Sequence, residues 1–214
     1  MNRSIADIIT EKVKEELMKS YLIPVEASAR HVHLSKEHVE ALFGHGYELT
    51  EKRELSQSGQ YQCNEKVMLI GPKGVIYNVS VLGPARKKTQ VEISYTDSFA
   101  LGIIPPVRDS GDLEGSGTLY IASSLSMVKA EESVIIAKRH IHMTRSDARH
   151  FGVYDGQTVS VRVFGQRPLI FEDVMIRVSD NYALRMHLDF DEANAAGCTA
   201  STLSMICRGF RMDE

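Results

Sequence analysis

The chain opens on a four-step pattern and then changes to a two-step one. In "MNRSIADIITEKVKEELMKS" the apolar residues Ile5, Ile9, Val13 and Leu17 recur every four positions, with Ile8 beside them. That spacing predicts one amphipathic helix over residues 1–20. Ser4 and Asp7 form a plausible capping pair. Glu15 and Glu16, and the lack of an unbroken apolar core, argue against a secretory signal. Two readings stand side by side: a helix packed on the body, or a detachable helix that docks on a partner. After Pro24 the segments shorten. "YLIPVEASA" is extended in character, and "KEHVEALFG" (Lys36 to Gly44) predicts a short helix stopped by glycine. "EKVMLIGPKGVIYNVSVLGP" carries two apolar, β-branched runs around Gly-Pro-Lys-Gly, which predicts a hairpin. "TQVEISYTD" predicts a further strand. "GIIPPVRDSGDLEGSGT" (Gly102 to Thr118) is rich in Gly, Pro and Asp, and predicts either an interdomain linker or a binding loop.

The second half repeats this order. "SVIIAKRHIHM" predicts a strand running into paired histidines, and "TRSDARHFG" a short helix ending at Gly152. "QTVSVRVFG" and "LIFEDVMIRV" predict a hairpin, and "YALRMHLDFDEANAAG" closes the unit as "KTQVEISYTDSFALG" closes the first. The two units lie roughly 95 to 109 residues apart, depending on the point of alignment, which marks an internal duplication. Short strands dominate both. The expected fold is therefore mainly β with short helices, as two duplicated small β-barrel domains behind an N-terminal amphipathic helix. The expected boundaries are 1–20 for the amphipathic segment, 30–128 for the first barrel and 129–214 for the second.

Composition narrows the function classes. With 43% apolar residues in 214, the chain can bury a core. A net charge of −3 gives no electrostatic case for nucleic acid, and no apolar run reaches the length of a membrane span. Cys63, Cys198 and Cys207 are odd in number and lack CxxC spacing. They read as packed, reduced thiols in a cytosolic setting.

Chemistry concentrates in "SARHVHLS" and "AKRHIHMT". On a strand, His31 and His33 share one face, and so do His140 and His142. Two imidazoles so placed can share one metal ion. With 14 arginines and 8 histidines, a single Arg-His-X-His is expected by chance roughly two hundredths of a time; the chain has two, at equivalent places in the duplicated units. A third donor also recurs: Glu92 lies ten residues before Gly102, and His187 ten before Gly197. The expectation is two metal sites, His31/His33/Glu92 and His140/His142/His187. Three protein ligands leave a position open, as in catalytic zinc sites, and N and O donors without thiolate favour zinc. The two could merge into one two-metal centre.

Arg86, in a turn after Gly-Pro, stands six residues before Glu92, with Lys87 and Lys88 between. It can hold phosphate through two parallel hydrogen bonds, or belong to a solvated basic turn. Arg30 and Arg139 are expected to face away from the metal in supporting roles. His38, His45 and His150 are expected at the surface or at helix ends. The sequence has no GxSxG, P-loop or GxGxxG, so metals and a bound substrate group would carry any catalysis.

Together "SARHVHLS", "LIGPKG", "LGPARKKTQVEIS", "SGDLEG", "AKRHIHM" and "MHLDFDEANAAG" resemble the PduL-type phosphate acyltransferases, or phosphate propanoyltransferases, over about residues 21–197. The resemblance implies reversible transfer of a short acyl group, propanoyl or acetyl, between coenzyme A and inorganic phosphate. It implies two β-barrels assembled as a homodimer or higher oligomer, with strand 21–29 completing the second barrel. It also implies two zinc ions per chain, on the residue sets just given, with Arg86 as the catalytic, phosphate-binding arginine. Ser28 and Phe99 would touch coenzyme A. Residues 1–20 would address the enzyme to the shell or cargo of a bacterial microcompartment in the bacterial cytoplasm, as in propanediol degradation. The alternatives are a zinc-dependent thioesterase or phosphoesterase, and a non-catalytic module that metals hold together.

Overall fold

The computed structural model describes residues 20–207, together with Lys12. The expected amphipathic segment therefore lies, apart from Lys12 and Ser20, outside the described residues.

The first barrel is a closed ring of six strands. They are β2 (His31–His33), β4 (Tyr61–Ile70), β5 (Val75–Gly83), β6 (Gln90–Glu92), β8 (Gly117–Ala122) and β9 (Met127–Ala137). Going round, β4 pairs with β5, β5 with β2, β2 with β6, β6 with β9, β9 with β8, and β8 with β4 again. Two short strands decorate it: β3 (Glu51–Glu54) on β4 and β7 (Val107–Arg108) on β9. The second barrel closes in the order β1, β13, β10, β12, β11, β14. These are β1 (Ile23–Ser28), β10 (His140–Met143), β11 (Thr158–Val163), β12 (Leu169–Val178), β13 (Arg185–Asp189) and β14 (Leu203–Ile206). Closure gives every ring strand a hydrogen-bonding partner on each side.

Alternation builds each core. On β4 and β5, Val67, Leu69, Val79 and Val81 point inward and are buried, while their neighbours face outward. Ile141, Val161, Val163, Val174, Ile176, Met186 and Leu188 fill the second barrel in the same way.

Four short helices among the described residues pack on the barrels: α1 (Lys36–Phe43), α2 (Tyr95–Leu101), α3 (Arg145–Phe151) and α4 (Phe190–Ala196). Their sequences carry the start and stop signals. Ser94/Asp97, Thr144/Asp147 and Asp189/Glu192 form reciprocal capping boxes, and Gly102, Gly152 and Gly197 end the helices in the left-handed conformation. The first of these boxes overrides one expectation. "TQVEISYTD" is not strand throughout: β6 stops at Glu92, because the Ser94 box starts α2 at Tyr95.

Two other expectations change. Residues 102–118 do not link the barrels, since the segment contains β7 and leads into β8 of the same barrel. The stretch "SVIIAKRHIHM" breaks at Lys138–Arg139, where β9 ends and β10 begins. The pairing of β9 with β6 carries the first barrel to Ile135, past the expected 30–128.

The chain thus passes between barrels at two short crossings. Ala29–Arg30 leads from β1 of the second barrel to β2 of the first. Lys138–Arg139 leads from β9 of the first to β10 of the second. Each crossing runs straight into a histidine pair.

Candidate active site

The strand registers bring both expected donor sets together. In the first barrel His31 lies opposite Glu92 across the β2–β6 pair, and in the second His140 lies opposite His187 across β10–β13. Within each set of three, one ligand atom per residue lies within 4.8 Å of the others. All five histidines are nine-tenths or more buried on β2, β10 and β13, except His140, which is partly covered.

The two crossings orient the first histidine of each pair. His31 Nδ1 donates to the Ala29 carbonyl at 2.8 Å, and His140 Nδ1 donates to the Lys138 carbonyl at 2.8 Å. A carbonyl can only accept, so Nε2 keeps its lone pair in both rings. In the first set that Nε2 lies 3.5 Å from Glu92 Oε2. His33 Nδ1, His142 Nδ1 and His187 Nε2 are buried and have no hydrogen-bond partner. Buried nitrogens left unpaired are costly unless a cation takes their lone pairs. This orphaned donor set, N and O without sulfur, fits a divalent metal ion at each group.

The electrostatics agree. Burial pushes the pKa of His33 well below the ordinary value, helped by His31 and Arg86. Burial lowers His142 to about 3, aided by His140 and Arg177, and drives His187 well down beside the same histidines. His140 is lowered too, again chiefly by burial. These rings are neutral near pH 7 and free to donate lone pairs. Burial would raise the Glu92 carboxyl, but His31, His140 and Arg86 together hold it below its usual range. That His140 acts on Glu92 sets the two groups against each other across the barrel junction.

Both groups line one cleft of about 330 Å³. Arg86 is on its wall beside His33 and Glu92, with its backbone N–H on the Leu34 carbonyl (2.8 Å) and Nη1 near Ser110 Oγ (3.4 Å). Ser110 comes from the Gly-rich loop, and also accepts from Gln90 Nε2 at 2.7 Å. Gln90 is 1% exposed, donates to Glu92 Oε1 and accepts from Gly111 N, so it holds the carboxylate and the loop together. Ser28 lines the cleft, whereas Phe99 is 77% exposed on α2 and does not.

The supporting arginines are held by carboxylates, and Arg30, expected to face away from the metal, also lines the cleft. Arg30 binds Asp97 through two contacts, of 2.9 and 2.7 Å, and Arg139 reaches Glu192 at 2.7 Å. His38, His45 and His150 stand at or near the surface, bound to Thr89, Glu40 and the Ser20 carbonyl respectively. None of the cysteines joins a donor set; Cys63 is buried, and burial pushes its thiol up to about 12.

Two cleft residues escape a reading of sequence alone. Arg177 on β12 lies beside His142 in register and binds Asp109 at 2.8 Å, and Tyr182 stacks on the His142 ring at 4.0 Å. No motif marks either one, and the duplication hides Arg177, because its counterpart in the first barrel is Leu82.

Residues 24–199 match the phosphate propanoyltransferase family. The chain belongs to that family, a family of acyltransferases. It is 52% identical over 200 residues to a phosphate propanoyltransferase of Clostridioides difficile, covering 94% of this chain and 96% of that protein. It is 56% identical over 196 residues to one of Thermotoga maritima, covering 90% and 93%, and 52% identical over 197 residues to one of Listeria monocytogenes, covering 92% of each. Among the described residues, no helix is long and apolar enough to cross a membrane.

Proposed function

We propose that this acyltransferase moves a short acyl group, propanoyl or acetyl, reversibly between coenzyme A and inorganic phosphate, with a zinc ion at each donor group. The observation that carries the proposal is the opening of both groups and Arg86 onto one cleft. Such ions supply Lewis-acid polarisation of a carbonyl and a soft acceptor for sulfur. His31, His33 and Glu92 would hold one, and His140, His142 and His187 the other.

The chain's own residues supply positioning. Arg86 offers a planar fork to a phosphate and balances its charge, with Ser110 beside it. Phosphate is partly dianionic near neutral pH and nucleophilic as it stands, so its attack on a thioester needs no dedicated base. Oriented in line with the thioester carbon, it gains from proximity alone. Gln90 and the two crossing carbonyls keep the donor side chains in place. Ser28 and Phe99 are proposed contacts for coenzyme A along the junction. Residues 1–20 are proposed as the segment that takes the enzyme into a bacterial microcompartment, and the working form as a homodimer or larger.

The test is thiol release from propanoyl-CoA and acetyl-CoA, with and without phosphate, before and after chelation. Phosphate-dependent release, with acyl phosphate formed, lost on chelation and restored by zinc, is expected. Release without phosphate would mean a hydrolase, and release indifferent to chelation would remove the metals from the reaction. Deleting residues 2–20 is expected to keep activity in solution and to abolish encapsulation.

A further inference from the structure

The duplication is nearly symmetric in its donors but not in what stands beside them. On β12 the register pairs His142 with Arg177. On β5 the register pairs His31 with Ser80 and Val32 with Val81, so the next step sets Leu82 beside His33. Leu82 also acts on the donor set through its backbone, which opposes the lowering of the His33 pKa. Val79 and Val81 on the same strand point into the barrel core, at 1% and 0% exposure. Strand alternation then turns Ser80 and Leu82 to the other face, where both line the cleft.

A second leucine lies close by. Leu55 follows β3, and its N–H donates to the Gln60 carbonyl at 3.0 Å. Gln62, two residues on, pairs with Leu82 across β4–β5. Among the described residues, Leu55 and Leu82 are the only aliphatic side chains larger than alanine that line the cleft; the rest are small, polar, charged or aromatic. An apolar corner beside a donor group in an otherwise polar cleft offers a place for a short alkyl chain; the neighbouring recess with Ile93, Leu188 and Phe190 lies beside His31 and His187 instead.

We infer that Leu82, with Leu55, forms the pocket that receives the alkyl end of the acyl group and so sets the acyl-chain preference. This inference rests on the acyltransferase reading of the cleft. Apolar pockets discriminate by about 10- to 200-fold per methylene, which is the scale of a preference between acetyl, propanoyl and butanoyl groups. The counterpart Arg177 gives the second barrel no such corner.

The test is kcat/KM of the full-length, metal-loaded protein with acetyl-, propanoyl- and butanoyl-CoA at saturating phosphate. Leu82→Ala is expected to raise the butanoyl-to-acetyl ratio at least fivefold by opening the corner. Leu82→Phe is expected to lower the propanoyl-to-acetyl ratio at least tenfold by filling it. Leu55→Ala, on a hairpin outside the barrel ring, should move the ratios in the direction of Leu82→Ala. Ratios that stay within twofold of the unaltered protein in all three variants, even with every rate reduced, would overturn the inference and leave Leu82 a support for His33. If the unaltered protein transfers no acyl group to phosphate, the underlying reading fails instead, and the two failures are distinct.

Discussion

Arg139 reaches Glu192 at 2.7 Å, and this pair ties the residue before the His140/His142 strand to the capping box of the helix that follows His187. Arg30 and Asp97 do the same in the first barrel. Each pair fastens a donor strand to the helix after the third donor. Burial already raises the pKa of the Glu192 carboxyl, and Arg139 opposes that rise. Arg139→Ala is expected to leave this largely buried carboxylate uncompensated and to lower stability by about 2 kcal/mol. Thermal unfolding measures it, and Glu192→Gln in the same background should recover part of the loss. No change in Tm would mean that the pair is ornamental.

Arg86 should separate binding of phosphate from binding of metal. Arg86→Ala is expected to cut phosphate-dependent turnover by at least 100-fold, which corresponds to about 2.7 kcal/mol, with metal content unchanged. Arg86→Lys keeps the charge but loses the fork, and should fall between the two. Metal analysis beside the kinetics checks both; loss of metal from the alanine variant would refute this division of roles.

Acid should destabilise the metal-free protein. His33, His140, His142 and His187 have pKa values lowered in the fold, while in the unfolded chain they return to about 6.5. Above that value neither state is protonated and no penalty arises. As pH falls from about 6.5 toward the lowered folded values, about 3 for His142, the unfolded state gains protons and stability is lost. Each histidine held neutral contributes a slope of about 1.4 kcal/mol per pH unit within that window. Urea midpoints of chelated protein at pH 7.5 and 5.5 should differ in this sense; an equal or higher midpoint at pH 5.5 would count against buried, neutral donors.

Gly165 and Gly71 occupy matched places in the two barrels. A methyl group on Gly165 would lie 2.1 Å from the Ala196 carbonyl oxygen, and one on Gly71 would lie 2.2 Å from that of Leu101. Each hairpin approaches the last turn of the helix behind the third donor, and Arg167 and Lys73 donate backbone N–H groups to those same carbonyls. Gly165→Ala must push backbone from backbone, and about 3 kcal/mol of lost stability is expected. Calorimetry would show it as a markedly lower Tm, with an unchanged value disproving the close approach.

Much of this architecture is legible in the chain because local signals and the duplication agree. His31, His33, His140 and His142 announce themselves by repetition, and Glu92 and His187 by their common distance from a helix-ending glycine. The helix at Tyr95 is missed because Val91 and Ile93 extend the strand pattern up to it, and the capping box at Ser94 outweighs that pattern. The role of residues 102–118 cannot be read from glycine and proline alone; the pairing of β7 and the contacts of Ser110 fix it. Arg177 and Tyr182 come to the cleft through register and stacking, which leave no trace in spacing.

The strand Ile23–Ser28 has a consequence for how the molecule is put together. It waits beside β2 until β13 and β14, about 160 to 180 residues later, exist to receive it. The first barrel can close once Ala137 has been made, whereas the second needs both ends of the described chain. Each barrel would become a single uninterrupted stretch if Cys207 were joined back to Leu22 through a short linker and the chain opened at Ala29–Arg30. In that rearranged order only the crossing at Lys138–Arg139 would still connect the barrels, and the donor groups would face each other without a second covalent strap.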